Sequence, residues 1–143
     1  MIIGIDPDLV KSGVAVTAGG RILTLDAMSF FDLIGFIDEH KHQAVFHVEN
    51  VEYCKAVYPR KGADSPGAKA KIAQNVGQVK AIGRLLEEYL KGSGANYKLI
   101  RPLVGTVKKK AKKDAEFFNR QTGWQGKSNE DKRDAALLAL YGK

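Results

Sequence analysis

Two short runs rich in β-branched and aromatic residues, "QAVFHVENV" and "NYKLIRP", stand on either side of one long amphipathic stretch, and that order leaves few folds open. A strand that returns to its sheet through a helix must lie parallel to the strand it rejoins, by a right-handed crossover. In the first run Ala44, Phe46 and Val48 take one face while Val45, His47 and Glu49 take the other. In "AKIAQNVGQVKAIGRLLEEYLKGSG" the residues Ile72, Val76, Val79, Ile82, Leu86 and Leu90 form one stripe, and Gly92 is the expected helix end. Upstream, "MIIGID", "SGVAVTA" and "RILTLDA" read as three strands joined by tight turns, the last around "GG". Ser29 then caps a first helix in "FFDLIGFIDEHK", with Phe30, Ile34 and Ile37 at helical spacing.

From Tyr53 to Lys69 the periodicity is lost, and the stretch "YCKAVYPRKGADSPGAK" is expected to be a surface loop. Pro102 stops the last strand, "VGTVKKKAKKDAEFFNRQTG" reads as one basic helix, and Ser128 or Asn129 caps a closing helix. The expected class is α/β: a five-stranded mixed sheet, made of a three-stranded antiparallel meander plus parallel strands, flanked by helices. No repeat or internal boundary interrupts residues 1–143, which are expected to form a single domain.

Composition narrows the functional classes. A single cysteine, Cys54, excludes an internal disulfide and a cysteine-based zinc cage. "MIIGIDPDLV" has no basic leader and its apolar run breaks at Asp6, so neither a signal peptide nor a membrane span is expected and the cytoplasm is the expected location. A formal net charge of +7 creates a field that attracts polyanions, nucleic acid foremost.

Against that basic background the acidic residues stand out. "DKRDAALLALYGK" places Asp131 and Asp134 one helical turn apart on one face, just ahead of Leu137, Leu138 and Leu140, so the two carboxylates call for a cation between them. Asp6 ends the first strand and Glu49 lies near the end of the fourth. If those strands are parallel neighbours, both side chains leave at the same sheet edge, and a final helix packed there adds its own pair. Desolvated like charges take up protons or recruit cations. Hard divalent ions such as Mg2+ suit an all-oxygen donor set, and two of them can activate water and stabilise a leaving oxygen in phosphodiester hydrolysis. Each residue also has a plainer reading: Asp6 before Pro7 as a turn residue, Asp131 as a favourable charge at a helix N-terminus. Glu49, between Val48 and Val51 in a strand where glutamate is disfavoured, is the hardest to explain without a partner.

The ordered set "IIGIDPDLVKSGVAV", "HVENV", "NVGQVKAIGRLL" and "DKRDAALLAL" resembles the RuvC-type Holliday-junction resolvases of the ribonuclease-H-like superfamily, over nearly the whole chain. The resemblance implies a ribonuclease-H-like fold and hydrolytic cutting of four-way DNA junctions by a homodimer. It implies two Mg2+ ions in each active site, with Mn2+ able to substitute. It assigns Asp6, Glu49, Asp131 and Asp134 as the catalytic and metal-binding carboxylates. Two positions depart from the family pattern: Asp8 stands where glycine is usual, and Glu52 where an aromatic wedge is frequent, with Tyr53 or Tyr58 as substitutes. A bacterial cell or a phage-infected host is the implied setting.

DNA contacts are expected from Arg101 and from Lys108, Lys109, Lys110, Lys112 and Lys113 of "KKKAKK", with Lys55, Tyr58, Arg60 and Lys61 as a second set. In isolation a basic run is more often a solvated helix face. His47 reads as a core or edge histidine, His40 and His42 as solvated helix-end residues, and Trp124 equally as a base-stacking residue or a loop anchor. Two other functions fit the same residues: a nuclease for RNA–DNA hybrids or flaps, and a junction-binding protein without turnover.

Overall fold

The computed structural model describes residues 1–53 and 65–143. Lys55, Tyr58, Arg60 and Lys61, together with Cys54, lie outside the described residues. Ten elements follow one another: β1 (Ile2–Asp6), β2 (Ser12–Ala18), β3 (Arg21–Met28), α1 (Phe30–His40), β4 (Val45–Glu49), α2 (Pro66–Ser93), β5 (Asn96–Ile100), α3 (Thr106–Lys113), α4 (Ala115–Thr122) and α5 (Glu130–Tyr141). The five strands form one sheet in the order β3-β2-β1-β4-β5. The meander pairs antiparallel, whereas β1 with β4 and β4 with β5 pair parallel, as the crossover through α2 requires.

Strand pleating divides the side chains between two cores. Ile3, Ile5, Val14, Val16, Phe46 and Val48 point to one face, where Leu33 and Ile37 of α1 and Leu86 and Leu90 of α2 cover them. Alternate positions face the other side, where Ala15 packs with Ala111 of α3, Phe118 of α4, and Ala135, Ala136 and Leu137 of α5. Helix α5 is buried along most of its length against the sheet's centre. That contact depends on two glycines: a Cβ at Gly4 would strike the Ala135 carbonyl, and one at Gly13 would strike the Asp131 carbonyl. Small residues here let the helix backbone lie directly on β1 and β2.

Three boundaries differ from expectation. Ser65, whose side chain accepts from the Ala68 amide, caps α2, and Pro66 takes its first turn, so residues 66–69, expected to be loop, are helical. The same helix passes Gly92 and ends at Gly94, which adopts the left-handed conformation at φ 72°. The expected single basic helix is two, because the Asp114 side chain accepts from the Phe117 amide at 2.9 Å and starts α4. Asn129, not Ser128, caps α5. Among the described residues no helix is long and apolar enough to cross a membrane.

Candidate active site

The side-chain parity that builds the two cores also places the acids. Asp6 shares its face with Gly4, the residue that touches α5, and β1 and β4 run parallel with Ile5 opposite Val48. Glu49 is the next residue on β4 and shares its face with His47, whose Nδ1 donates to the Leu138 carbonyl of α5 at 3.1 Å. Both carboxylates therefore leave the sheet's C-terminal edge on the side that α5 covers. The Asp6 main chain pairs with Gly13, and Gly13 lies against the Asp131 backbone, so the start of α5 sits over the Asp6 position.

Electrostatics report the same convergence. Burial raises the Asp6 carboxyl well above the usual carboxylate range, and the charges of Glu49, Asp134 and Asp131 push it further, against a lowering by Lys112. Asp131 is also raised, by partial burial and then by the neighbouring Asp8, with Asp134 and Glu130 adding to it. Asp8 turns its own carboxylate back to the Val10 amide at 2.9 Å and adds a negative charge beside Asp131.

The cation demanded by the aspartate pair is a lysine of α3. Lys112 Nζ donates to Asp134 Oδ2, and Lys108 Nζ stands 3.3 Å from Oδ1. Asp134 has only 3% of its side chain exposed, and its Oδ1 makes no hydrogen bond. The Lys112 ammonium is raised above its ordinary value. Burial opposes this, but the hydrogen bond to Asp134 and the charges of Asp134, Asp6 and Glu49 outweigh it.

Arg133 is a positioning residue that sequence reasoning passed over. It is buried within "DKRD", and its Nε donates to the Lys112 carbonyl at 2.6 Å while Nη1 donates to the Ser128 carbonyl at 2.7 Å. One guanidinium thus ties the end of α3 to the helix carrying Asp134. A charged residue inside an apolar helix segment was the available signal.

The other basic residues separate. Lys110 lies over the Phe117 ring at 4.7 Å, while Lys109 and Lys113 are exposed. Arg101 is exposed beyond β5 and stacks over the Tyr53 ring at 4.9 Å. Glu52 is bound to α2 through Arg84 Nε at 2.7 Å and Lys80 at 3.7 Å, which holds its carboxylate below the usual range. Val51 fits against Gly83 of the same helix. Trp124 packs against the α5-side core, the anchoring alternative of the two.

The residues fit a hard divalent ion in donor chemistry: oxygen ligands only, crowded negative charge, and a buried Asp134 oxygen without a hydrogen bond. Among the described residues no three His, Cys, Asp or Glu side chains stand in chelating range of a common point. The Lys112 ammonium lies among the carboxylates instead.

No protein-family model matches the chain. No curated protein matches it either. Among solved structures, Thermus thermophilus RuvC in complex with a Holliday junction substrate superposes with a TM-score of 0.52 at 15% identity, covering 97% of this chain and 90% of that one. A second structure of Thermus thermophilus RuvC gives a TM-score of 0.47 at 16% identity over the same shares. With its sheet order, parallel crossover and closing helix, the chain has the ribonuclease-H-like fold of RuvC.

Proposed function

We propose that this protein is a metal-dependent endonuclease that hydrolyses phosphodiesters in branched DNA, four-way junctions above all. The observation that carries the reading is the convergence of Asp6, Glu49, Asp131 and Asp134 from three separate elements onto one edge of the sheet, beside the lysines of α3. A protein that only binds DNA gains nothing from clustered negative charge where a phosphate must approach. The fold shared with a RuvC captured on a Holliday junction supports the choice of substrate.

Asp6 and Glu49, with Asp131 and Asp134, would hold Mg2+ or Mn2+, two ions being the number that divides the transition-state charge. When bound, such ions acidify water and neutralise charge at the departing oxygen. The protein's own groups do the rest. The β1–β4 register fixes where the first two carboxylates leave the sheet, and the close seating of α5 on Gly4 and Gly13 fixes the second two. Lys108 and Lys112 stand where a scissile phosphate would need charge, and exposed Lys109, Lys113 and Arg101 hold the backbone on either side.

Cutting two strands of a junction symmetrically requires two such sites, and a homodimer supplies them. The face formed by α1 and α2 suits that contact: it carries a groove of about 650 Å³ lined by Phe31, Ile34, Leu85 and Tyr89, with Phe31 84% exposed.

Cleavage of a synthetic four-way junction, a flap and an RNA–DNA hybrid at matched concentration with Mg2+ tests the reading. Nicking concentrated on the junction is expected, and Asp6→Asn or Asp134→Asn should abolish it while sparing binding. Preference for the hybrid would reassign the substrate, and normal cutting by either variant would remove the site.

A further inference from the structure

Lys112 is poorly explained as one more DNA-binding lysine. Its ammonium is turned inward to a carboxylate that is almost wholly buried, and the charges of Asp6 and Glu49, from β1 and β4, face it as well. Its backbone is held in that position, because the Lys112 carbonyl accepts from Arg133 Nε at 2.6 Å on the helix that carries Asp134. Lys108, one turn earlier, approaches the second oxygen of the same carboxylate. Yet the Lys112 side chain keeps 33% of its surface exposed, so its flexible stem can swing the head outward without repacking the core.

We propose that Lys112 is an exchangeable internal counter-ion: it occupies the carboxylate cluster until a divalent cation takes Asp134, and is then released toward the DNA backbone. The inference rests on the metal-binding reading above and deepens it. An ammonium and a divalent ion held by the one Asp134 carboxylate repel each other at close range, so each lowers the other's occupancy. The lysine therefore weakens metal binding in the protein alone. A released ammonium beside the site meets a phosphate, so metal and DNA binding strengthen each other, and by linkage the coupling is the same in both directions. Until either ligand arrives, the ammonium offsets part of the cluster's negative charge.

The test is calorimetric titration of Mn2+ into wild-type protein and Lys112→Met, without DNA. The variant should bind Mn2+ about tenfold more tightly, melt at lower temperature than wild type in chelator, and match it at saturating Mn2+. Lys112→Arg, which restores the cation, should return the weaker binding. A purely structural lysine predicts equal stability loss with and without metal, and unchanged or weaker Mn2+ affinity in Lys112→Met overturns the proposal. Should that variant not fold, the wild-type Lys112 Nζ proton resonance decides: slow exchange without metal must give way to fast exchange at saturating Mg2+, and persistence of the protected signal overturns it. If neither wild type nor variant binds Mn2+, the metal-binding reading itself is wrong and this inference falls with it.

Discussion

Burial and three neighbouring acids raise the Asp6 carboxyl well above the usual carboxylate range, and this makes it a liability for the metal-free fold. The folded state binds that proton more tightly than the unfolded chain does. Its contribution is therefore most favourable at low pH and is lost as pH rises from the ordinary carboxylate value through the raised one. Asp6→Asn should raise the melting temperature in chelator at neutral pH and flatten its pH dependence, as thermal melts from about pH 4 to about pH 8 would show, while cleavage disappears. A melting temperature lowered by the substitution would contradict the electrostatic strain. Arg133 works in the opposite sense: Arg133→Met leaves the Lys112 and Ser128 carbonyls without their donor and should cost about 2–3 kcal/mol in urea unfolding. Strand parity made Glu49 legible from sequence alone, since His47 and Glu49 had to oppose Phe46 and Val48. The division of labour within "KKKAKK" was not legible as a uniform charge run. The buried Ala111 marks the inward face that brings Lys108 and Lys112 to Asp134, and only the position of α3 against α5 reveals it.

At the level of elements, the site is a consequence of how closely α5 lies on the sheet. Gly4→Ala or Gly13→Ala would force the α5 backbone away from β1 and β2, costing about 1–3 kcal/mol as overpacking does. Because the Asp131 carbonyl is the atom struck at Gly13, nicking should fall further in that variant than its folded fraction alone explains. Urea unfolding alongside nicking rates would separate the two effects. The sheet was readable because alternation and crossover rules act locally. The helix boundaries that were misplaced each carried a local signal that composition masked. Ser65–Pro66 is a cap followed by a first-turn proline inside a loop-like stretch, Asp114 is a cap hidden in a basic run, and Gly94 competes with Gly92 in "GSG". What no local signal carries is the depth of the α5 contact, because the two glycines read equally well as turn or strand residues until the helix is placed over them.

Across the whole molecule, a chain with net charge +7 brings four acids to one edge of its sheet and sets Lys108 and Lys112 of α3 beside them. Junction affinity should fall linearly with the logarithm of salt concentration, and Lys109→Ala or Lys113→Ala should each reduce that slope by about one unit without abolishing cutting. If the proposed homodimer forms through the α1–α2 face, wild type sediments as a dimer and Phe31→Asp as a monomer, since the substitution places a charge at the exposed apolar rim of that groove. The most direct measurement is the anomalous scattering of a crystal soaked in Mn2+. Peaks bounded by the carboxylates of Asp6, Glu49, Asp131 and Asp134, with the Lys112 head displaced from Asp134, are the predicted result. A fully loaded crystal with Mn2+ elsewhere, or with none against these four side chains, would contradict it.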